Sequence, residues 1–308
     1  MHDGTSGQPM RNDAPVVTGL YLGCPLWGFA GWVGNFYTVD ARPAGFLEQY
    51  ASVFNTVEGN TTFYSLPSAD SVRRWERATP TWFRFCFKFP REVTHTRMLE
   101  GEAEVTHEFL DRLAPLEQRC GPFMLQLPPK FGPDRLASLD RFLGGLPSDI
   151  DVAVEVRNRE FFTRQGAGRA LDDLLERRSC DRITLDARAL YWGDPKHPDV
   201  IAARHQKPDL PVEPRALGRH PMIRFIGHPE PAANDPWLAA LGDTIGGWIG
   251  EGRTPFVMVH CPNSGHVPAL ARRTHRLLAG KGLDVGELPP WPAERGGAGH
   301  DQLSLFPT

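Results

Sequence analysis

DVAVEVRN, residues 151–158, sets Val152, Val154 and Val156 on one face of an extended strand and Ala153, Glu155 and Arg157 on the other. Seven further runs have the same character: TGLYLGC (18–24), FNTVEGN (54–60), WFRFCFKF (82–89), GPFMLQLP (121–128), RITLDAR (182–188), PMIRFIG (221–227) and PFVMVHC (255–261). Each is rich in β-branched or aromatic residues and bounded by Gly, Pro, Asn or Asp, which marks a strand. Helical patterns lie between them. PAGFLEQYASVF (43–54) carries its proline near the start, and SADSVRRWERA (68–78) opens on Ser68, a capping residue. EVTHEFLDRLAPLEQRC, PDRLASLDRFLGGL and GRALDDLLERR follow the next three strands; WLAALGDTIGGWI and VPALARRTHRLLAG follow the last two.

Alternating strands and helices imply a parallel sheet with crossover helices. Eight such units predict a single closed (β/α)8 TIM barrel over residues 18–292. A doubly wound open sheet is the alternative; the count of eight and the lack of a glycine-rich phosphate fingerprint after the first strand weigh against it. Residues 1–17 read as a polar tail without an apolar signal core, and 293–308 as a glycine-rich linker ending in a short apolar peptide. Leu190 to His220, between strands six and seven, is too long for an ordinary connection and has only a weak helical patch around Val200–His205. In a barrel it follows the C-terminal end of a strand, at the active-site mouth.

Alternation assigns a polar set to the barrel interior: Glu58, Asn60, Lys88, Gln126, Glu155, Arg157, Asp186, Arg188, Arg224 and His260. Burying so many ionisable groups is costly unless they pair. One reading is a structural ion-pair network, such as Glu155 with Arg224 or Lys88. The other is chemistry at the strand ends, where barrel enzymes place it. Lys88, Arg157 and Arg224 suit a phosphate or carboxylate. Glu58, Glu155 and Asp186 suit general acid–base work, and with His260 they form a donor set for a divalent metal such as Mg, Mn or Zn. Against a metal stands the single strand-borne histidine, where metal-hydrolase barrels show several. Cys86 and Cys261 read as small buried fillers. Trp27, Phe63, Tyr64, Tyr191 and Trp192 gather at strand ends, suited to core packing or to stacking on a base or sugar.

The runs GCPLWGFAGWVGNFY, VEGNTTFYSLP, FKFP, TH, QLPP, VEVRN and CPNSG, in this order between Leu20 and Gly280, resemble the DUF72, or YecE-like, family. The resemblance implies a TIM barrel and leaves the activity open. It implies shared polar positions at Glu58, Asn60, Tyr64, Lys88, His95, Gln126, Glu155, Arg157, Asp186, Arg224 and Asn263. Two segments depart from the family pattern: Gly23-Cys24-Pro25-Leu26-Trp27 where GTSGW is common, and Pro262-Asn263 where a pair of asparagines is common. The fold also looks like that of metal-dependent barrels such as xylose isomerase and endonuclease IV, whose metal-binding histidines have no evident counterparts in this chain.

Gln302-Leu303-Ser304-Leu305-Phe306, eight residues or fewer from the last position, resembles the pentapeptide by which bacterial polymerases and repair proteins dock on the β sliding clamp. A flexible linker gives such a peptide reach, Leu303, Leu305 and Phe306 offer apolar anchors, and Gln302 a hydrogen bond. The alternative is that the peptide folds back on its own barrel.

Composition narrows the classes. A chain of 308 residues with 41% hydrophobic and 23% charged residues is ordinary for a globular protein. A net charge of −3 supplies no global attraction to nucleic acid, so any contact with DNA is local. Five dispersed cysteines without a CxxC pair fit a reducing cytoplasm. No apolar run approaches the ~18 residues of a membrane span. Three functions remain: an enzyme acting on a phosphate-bearing or nucleic-acid substrate, a phosphodiesterase-like hydrolase being one form; a non-catalytic nucleic-acid or ligand-binding barrel; and a small-molecule isomerase, lyase or sugar-processing barrel.

Overall fold

The computed structural model describes residues 19–295; the N-terminal tail expected over 1–17 and the QLSLF peptide lie outside the described residues. Eight parallel strands run in the order β3-β2-β1-β8-β7-β6-β5-β4. They are β1 Tyr21–Cys24, β2 Thr56–Gly59, β3 Arg84–Phe87, β4 Phe123–Gln126, β5 Val152–Glu155, β6 Asp181–Asp186, β7 Met222–Ile226 and β8 Phe256–His260. The two end strands meet through isolated parallel bridges, Phe85 with Cys120 and Lys88 with Met124. The Gly121 N–H donates to the Phe85 carbonyl at 2.8 Å and the Phe89 N–H to the Met124 carbonyl at 3.0 Å, which closes the ring. The protein is a (β/α)8 TIM barrel, as the strand count predicts, and the open-sheet alternative is set aside.

Helices alternate with the strands: α1 Phe46–Ala51, α2 Ala69–Ala78, α3 Ala103–Leu113, α4 Leu136–Gly144 and α5 Ala167–Arg177, then α6 Arg188–Trp192, α7 Pro198–Arg204, α8 Asp235–Gly250, α9 Val267–Gly280 and α10 Pro292–Arg295. Ser68 caps α2, its hydroxyl accepting from the Ser71 N–H at 3.1 Å. In the short α10, the Ala293 N–H donates to the Phe36 carbonyl and Glu294 pairs with Arg272, so the described chain ends packed against the barrel wall.

The barrel interior has two levels. The lower level is an apolar plug of Tyr21, Cys86, Met124, Ala153, Ile183, Met222, Phe256 and Met258, with the Tyr21 and Phe256 rings stacked at 4.4 Å. Each fully buried apolar side chain there contributes roughly 1.5–3 kcal/mol. The upper level is polar and carries the site. Outside, Val152, Val154 and Val156 join the main core against the helices, as alternation predicts.

β6 is the exception. Ile183 pairs with Met222 and Leu185 with Arg224, so these two face inward with their partners, while Thr184 and Asp186 pair with outward-facing Ile223 and Phe225. Alternation had placed Asp186 and Arg188 inside; they pair with each other on the outer side, with Arg188 over the Trp237 ring. The outer face of β6 is polar because it is paired: Arg182 donates to Asp172 on α5 at 2.9 Å and to the Phe161 carbonyl at 3.0 Å.

The long connection after β6 is ordered. α6 and α7 lie over the barrel mouth, where Val200, Leu210 and Leu190 are buried against Leu185 and Ile226. The Arg204 guanidinium donates to the Leu190 and Tyr191 carbonyls and lies over the Tyr191 ring. The segment from Ala187 to His220 therefore replaces an outer crossover with a partial roof.

Candidate active site at the barrel mouth

Two buried carboxylates share one buried guanidinium. Arg224 on β7 donates from Nε to Glu58 Oε2 at 2.9 Å and from Nη2 to Glu58 Oε1 at 2.8 Å. Its Nη1 donates to Glu155 Oε2. Lys88 Nζ lies 3.0 Å from Glu58 Oε1 and donates to Gln126 Oε1 at 3.2 Å. Arg157 Nε donates to Glu155 Oε1 at 2.8 Å. His260 Nε2 lies 2.8 Å from Glu58 Oε2. Glu58, Glu155 and Arg224 are each at most 1% exposed. The ion-pair network expected of Glu155 with Arg224 is present, and it extends to six side chains from β2, β3, β5, β7 and β8 and the residues just after them.

Electrostatics fix the charge states. Burial alone would raise the Glu58 carboxyl, but Arg224, then Lys88 and His260, hold it well below the usual carboxylate range. Burial also opposes ionisation of Glu155, and Arg224, Arg157 and Lys88 prevail, leaving it at about 2. Burial and the neighbouring cations Arg224 and Lys207 push His260 down to about 4 against the pull of Glu58. His260 is thus neutral at pH 7. A neutral imidazole can only meet an ionised carboxylate with an N–H, so Nε2 carries the proton and Nδ1 keeps a lone pair.

This arrangement revises the roles expected of the carboxylates. Glu58 and Glu155 are ionised, with a donor on each oxygen, so neither holds a proton to give at neutral pH, and both are weak bases. The same pairing bears on the metal expectation. Glu58 spends both oxygens on Arg224, Lys88 and His260, and no group of three or more His, Cys, Asp and Glu side chains able to hold a metal ion occurs among the described residues.

The network floors a cavity of about 670 Å³ at the mouth, lined by Glu58, Asn60, Tyr64, Lys88, His95, Gln126, Arg157, Arg224 and His260 among others. Of the residues expected there, Asp186 is absent: it points outward and binds the Arg188 N–H and guanidinium at 2.7–3.1 Å. Asn263 lies beside the cavity and ties the loop after β8 to the roof, its Nδ2 donating to Asp199 Oδ2 at 3.4 Å. Asn60 lines the cavity while donating to the Pro25 carbonyl at 2.8 Å. His95 follows β3; its Nδ1 pairs with the Thr94 hydroxyl at 2.8 Å, and its ring meets Phe63 edge-on. Burial, then Arg157, Arg91, Lys130 and Lys88, lower His95 to about 4. Tyr64 stands 80% exposed at the rim.

The structure adds residues that alternation could not reach, because they are not on strands. Arg91 follows β3, and Asp199, Gln206 and Lys207 come down from the roof. For the three on the roof, the unusual length of the 190–220 connection was the sequence signal; Arg91 had none. A larger groove of about 870 Å³ lies on the flank between α3 and α4, lined by Leu99, Leu110 and Phe142. The strand ends, where the ionisable groups converge, are the better candidate site.

Comparison with known proteins agrees with this architecture. The sequence profile of the family described as "Protein of unknown function DUF72" matches residues 21–295. The UPF0759 protein YecE of Escherichia coli K12 is 34% identical over 275 residues, spanning 89% of this chain and 98% of that protein. The UPF0759 protein YunF of Bacillus subtilis 168 is 28% identical over 152 residues, 47% of this chain and 52% of that one. Among solved structures, a DUF72 family protein from Enterococcus faecalis V583 superposes with a TM-score of 0.66 at 19% identity, covering 88% of this chain and 98% of that one. One from Thermotoga maritima MSB8 superposes at 0.63 with 23% identity, covering 84% and 99%. These two likenesses speak for the fold.

Proposed function

The chain belongs to the DUF72 family, and from that premise we propose that it is an enzyme that takes a phosphate-bearing substrate into the mouth of its barrel. One observation carries the reading. The cavity is lined by five cations, Lys88, Arg91, Arg157, Lys207 and Arg224, against Glu58 and Asp199, with Glu155 behind them. The mouth has a positive surplus although the whole chain is acidic. Converging cations in a partly desolvated cleft favour phosphate by charge-assisted hydrogen bonds.

His260 supplies the proton chemistry in this reading. Glu58 holds its Nε2–H, which orients the ring and leaves Nδ1 for a proton; the cations that lower His260 are the ones a bound phosphate would neutralise, so ligand entry strengthens it as a base. Nucleotides, sugar phosphates and short single-stranded DNA are expected to bind at low salt, to weaken as salt rises, and to outbind their unphosphorylated counterparts. Isothermal titration checks this; equal binding of neutral sugars, with none of the phosphate-bearing probes, overturns it. A non-catalytic binder is favoured by the full pairing of both buried carboxylates. His260→Asn separates the two: a binder keeps its ligand and has no turnover to lose.

We further propose that Gln302, Leu303, Leu305 and Phe306 recruit the barrel to a β sliding clamp, and so to DNA. The support is the QLSLF sequence itself. A peptide of residues 301–308 is expected to bind purified clamp, and the same peptide with Leu305→Ala and Phe306→Ala is not.

A further inference from the structure

Lys207 differs from every other cation of the inner mouth. It neither sits on a strand nor follows the end of one; it is delivered by the roof, three residues after α7 ends at Arg204 and three before Leu210 is buried. Its backbone is held on both sides: the Tyr191 hydroxyl donates to the Lys207 carbonyl at 2.6 Å, and the Lys207 N–H donates to the Ala203 carbonyl at 2.9 Å. It lines the same cavity as Glu58 on β2, Lys88 after β3, Arg224 on β7 and His260 on β8, close enough for its charge to act on them. Yet it forms no salt bridge or side-chain hydrogen bond among the described residues. Arg224 already spans both carboxylates, and Arg157 and Lys88 complete them. A half-buried ammonium that lines a cleft among other cations, with no carboxylate of its own, is placed to receive an anion.

The charge count gives the anion's valence. In the inner mouth Lys88, Arg157, Lys207 and Arg224 face Glu58 and Glu155, a surplus of two positive charges. A phosphate monoester carries close to two negative charges at pH 7 and cancels that surplus, whereas a diester carries one. The roof gives the size. With α7 sealed down by Val200 and Leu210, about 670 Å³ is enough for a phosphate and a small organic body, in the range of small-molecule sites. Resting on the function proposed above, we propose that Lys207, with Lys88 and Arg157, seats the single phosphate monoester group of a small molecule.

Titration calorimetry of the full chain tests it with inorganic phosphate, a nucleoside 5′-monophosphate and the methyl ester of that nucleotide. The monophosphate is expected to bind more tightly than its methyl ester. Lys207→Met is expected to weaken the monophosphate about tenfold or more, the scale of one lost charge-assisted hydrogen bond. Lys207→Arg should restore most of that loss, and circular dichroism should show both variants folded. Wild-type affinity for sulfate, a dianion at every pH used, should fall between pH 7 and 9, because burial and then Arg224 lower Lys207 to about 8; the arginine variant should not show this fall. The inference is overturned if Lys207→Met leaves monophosphate affinity within about twofold, if the methyl ester binds as tightly as the monoester, or if no monoester binds. In that last case, binding of single-stranded DNA leaves the broader proposal standing; loss of every phosphate-bearing probe removes both.

Discussion

Arg224 is the residue on which the site turns. Among the described residues it alone touches both buried carboxylates, and removing it leaves two ionised carboxylates short of donors. Breaking a buried pair by deleting one partner costs about 3–5 kcal/mol. Arg224→Met is therefore expected to destabilise the fold more than Glu155→Gln, since the latter leaves Arg224 still bidentate on Glu58. For a chain of this size each kcal/mol moves the thermal midpoint by roughly 2–4 °C, so thermal unfolding resolves the order. Equal losses, or a larger loss for Glu155→Gln, would show that the two carboxylates do not depend on Arg224 as drawn. Sequence alternation found Glu58, Glu155, Arg157, Arg224 and His260 because strands impose a period of two. It could not find which oxygen meets which nitrogen, and so it offered for acid–base work two groups that the folded chain keeps ionised and paired.

At the scale of the element, β6 shows where a period-two reading fails. RITLDAR has its polar residues on one face and its apolar residues on the other, and no local feature says which face is the inner one. The answer lies in α5, whose Asp172 receives Arg182, and in the roof, whose Val200 and Leu210 need the apolar pair Leu185 and Ile226. Both lie outside the strand, so the side of β6 is a tertiary fact. Asp186→Asn is accordingly expected to leave anion binding at the mouth unchanged while lowering stability by about 1–3 kcal/mol, through loss of the charged partner of Arg188. Calorimetry with a phosphate probe and a thermal melt on the same sample check both halves. Loss of binding without loss of stability would return Asp186 to the site. The roof was visible in sequence only as a connection too long for its place.

For the whole molecule, the buried network sets the response to acid. His260 is lowered in the folded chain, so its contribution is whole above its unfolded value of about 6.5 and is lost as pH falls toward about 4. The loss from this one group is about 3 kcal/mol at most. His95 acts in the same window, but it is half-buried and screened by solvent, so it contributes less. Below about pH 4.5 the lowered carboxylates Glu58 and Glu155 add a second loss of the same sign. Thermal midpoints from pH 8 to 3 are expected to fall steadily below 6.5, and His260→Asn should flatten the upper part of that fall. A wild-type midpoint that stays level down to pH 5 would contradict the placement of His260. The fold itself was legible because eight strand–helix units leave few ways to close a sheet. The apolar plug at the base of that barrel has one more consequence. Among the described residues, Tyr21, Phe256 and the methionines around them fill the axis, so the chamber opens at the mouth, partly shuttered by the roof. On the function proposed above, product leaves by the mouth through which substrate entered. Turnover is then a matter of traffic: the spent molecule vacates before the next arrives, and added product is expected to compete directly with substrate.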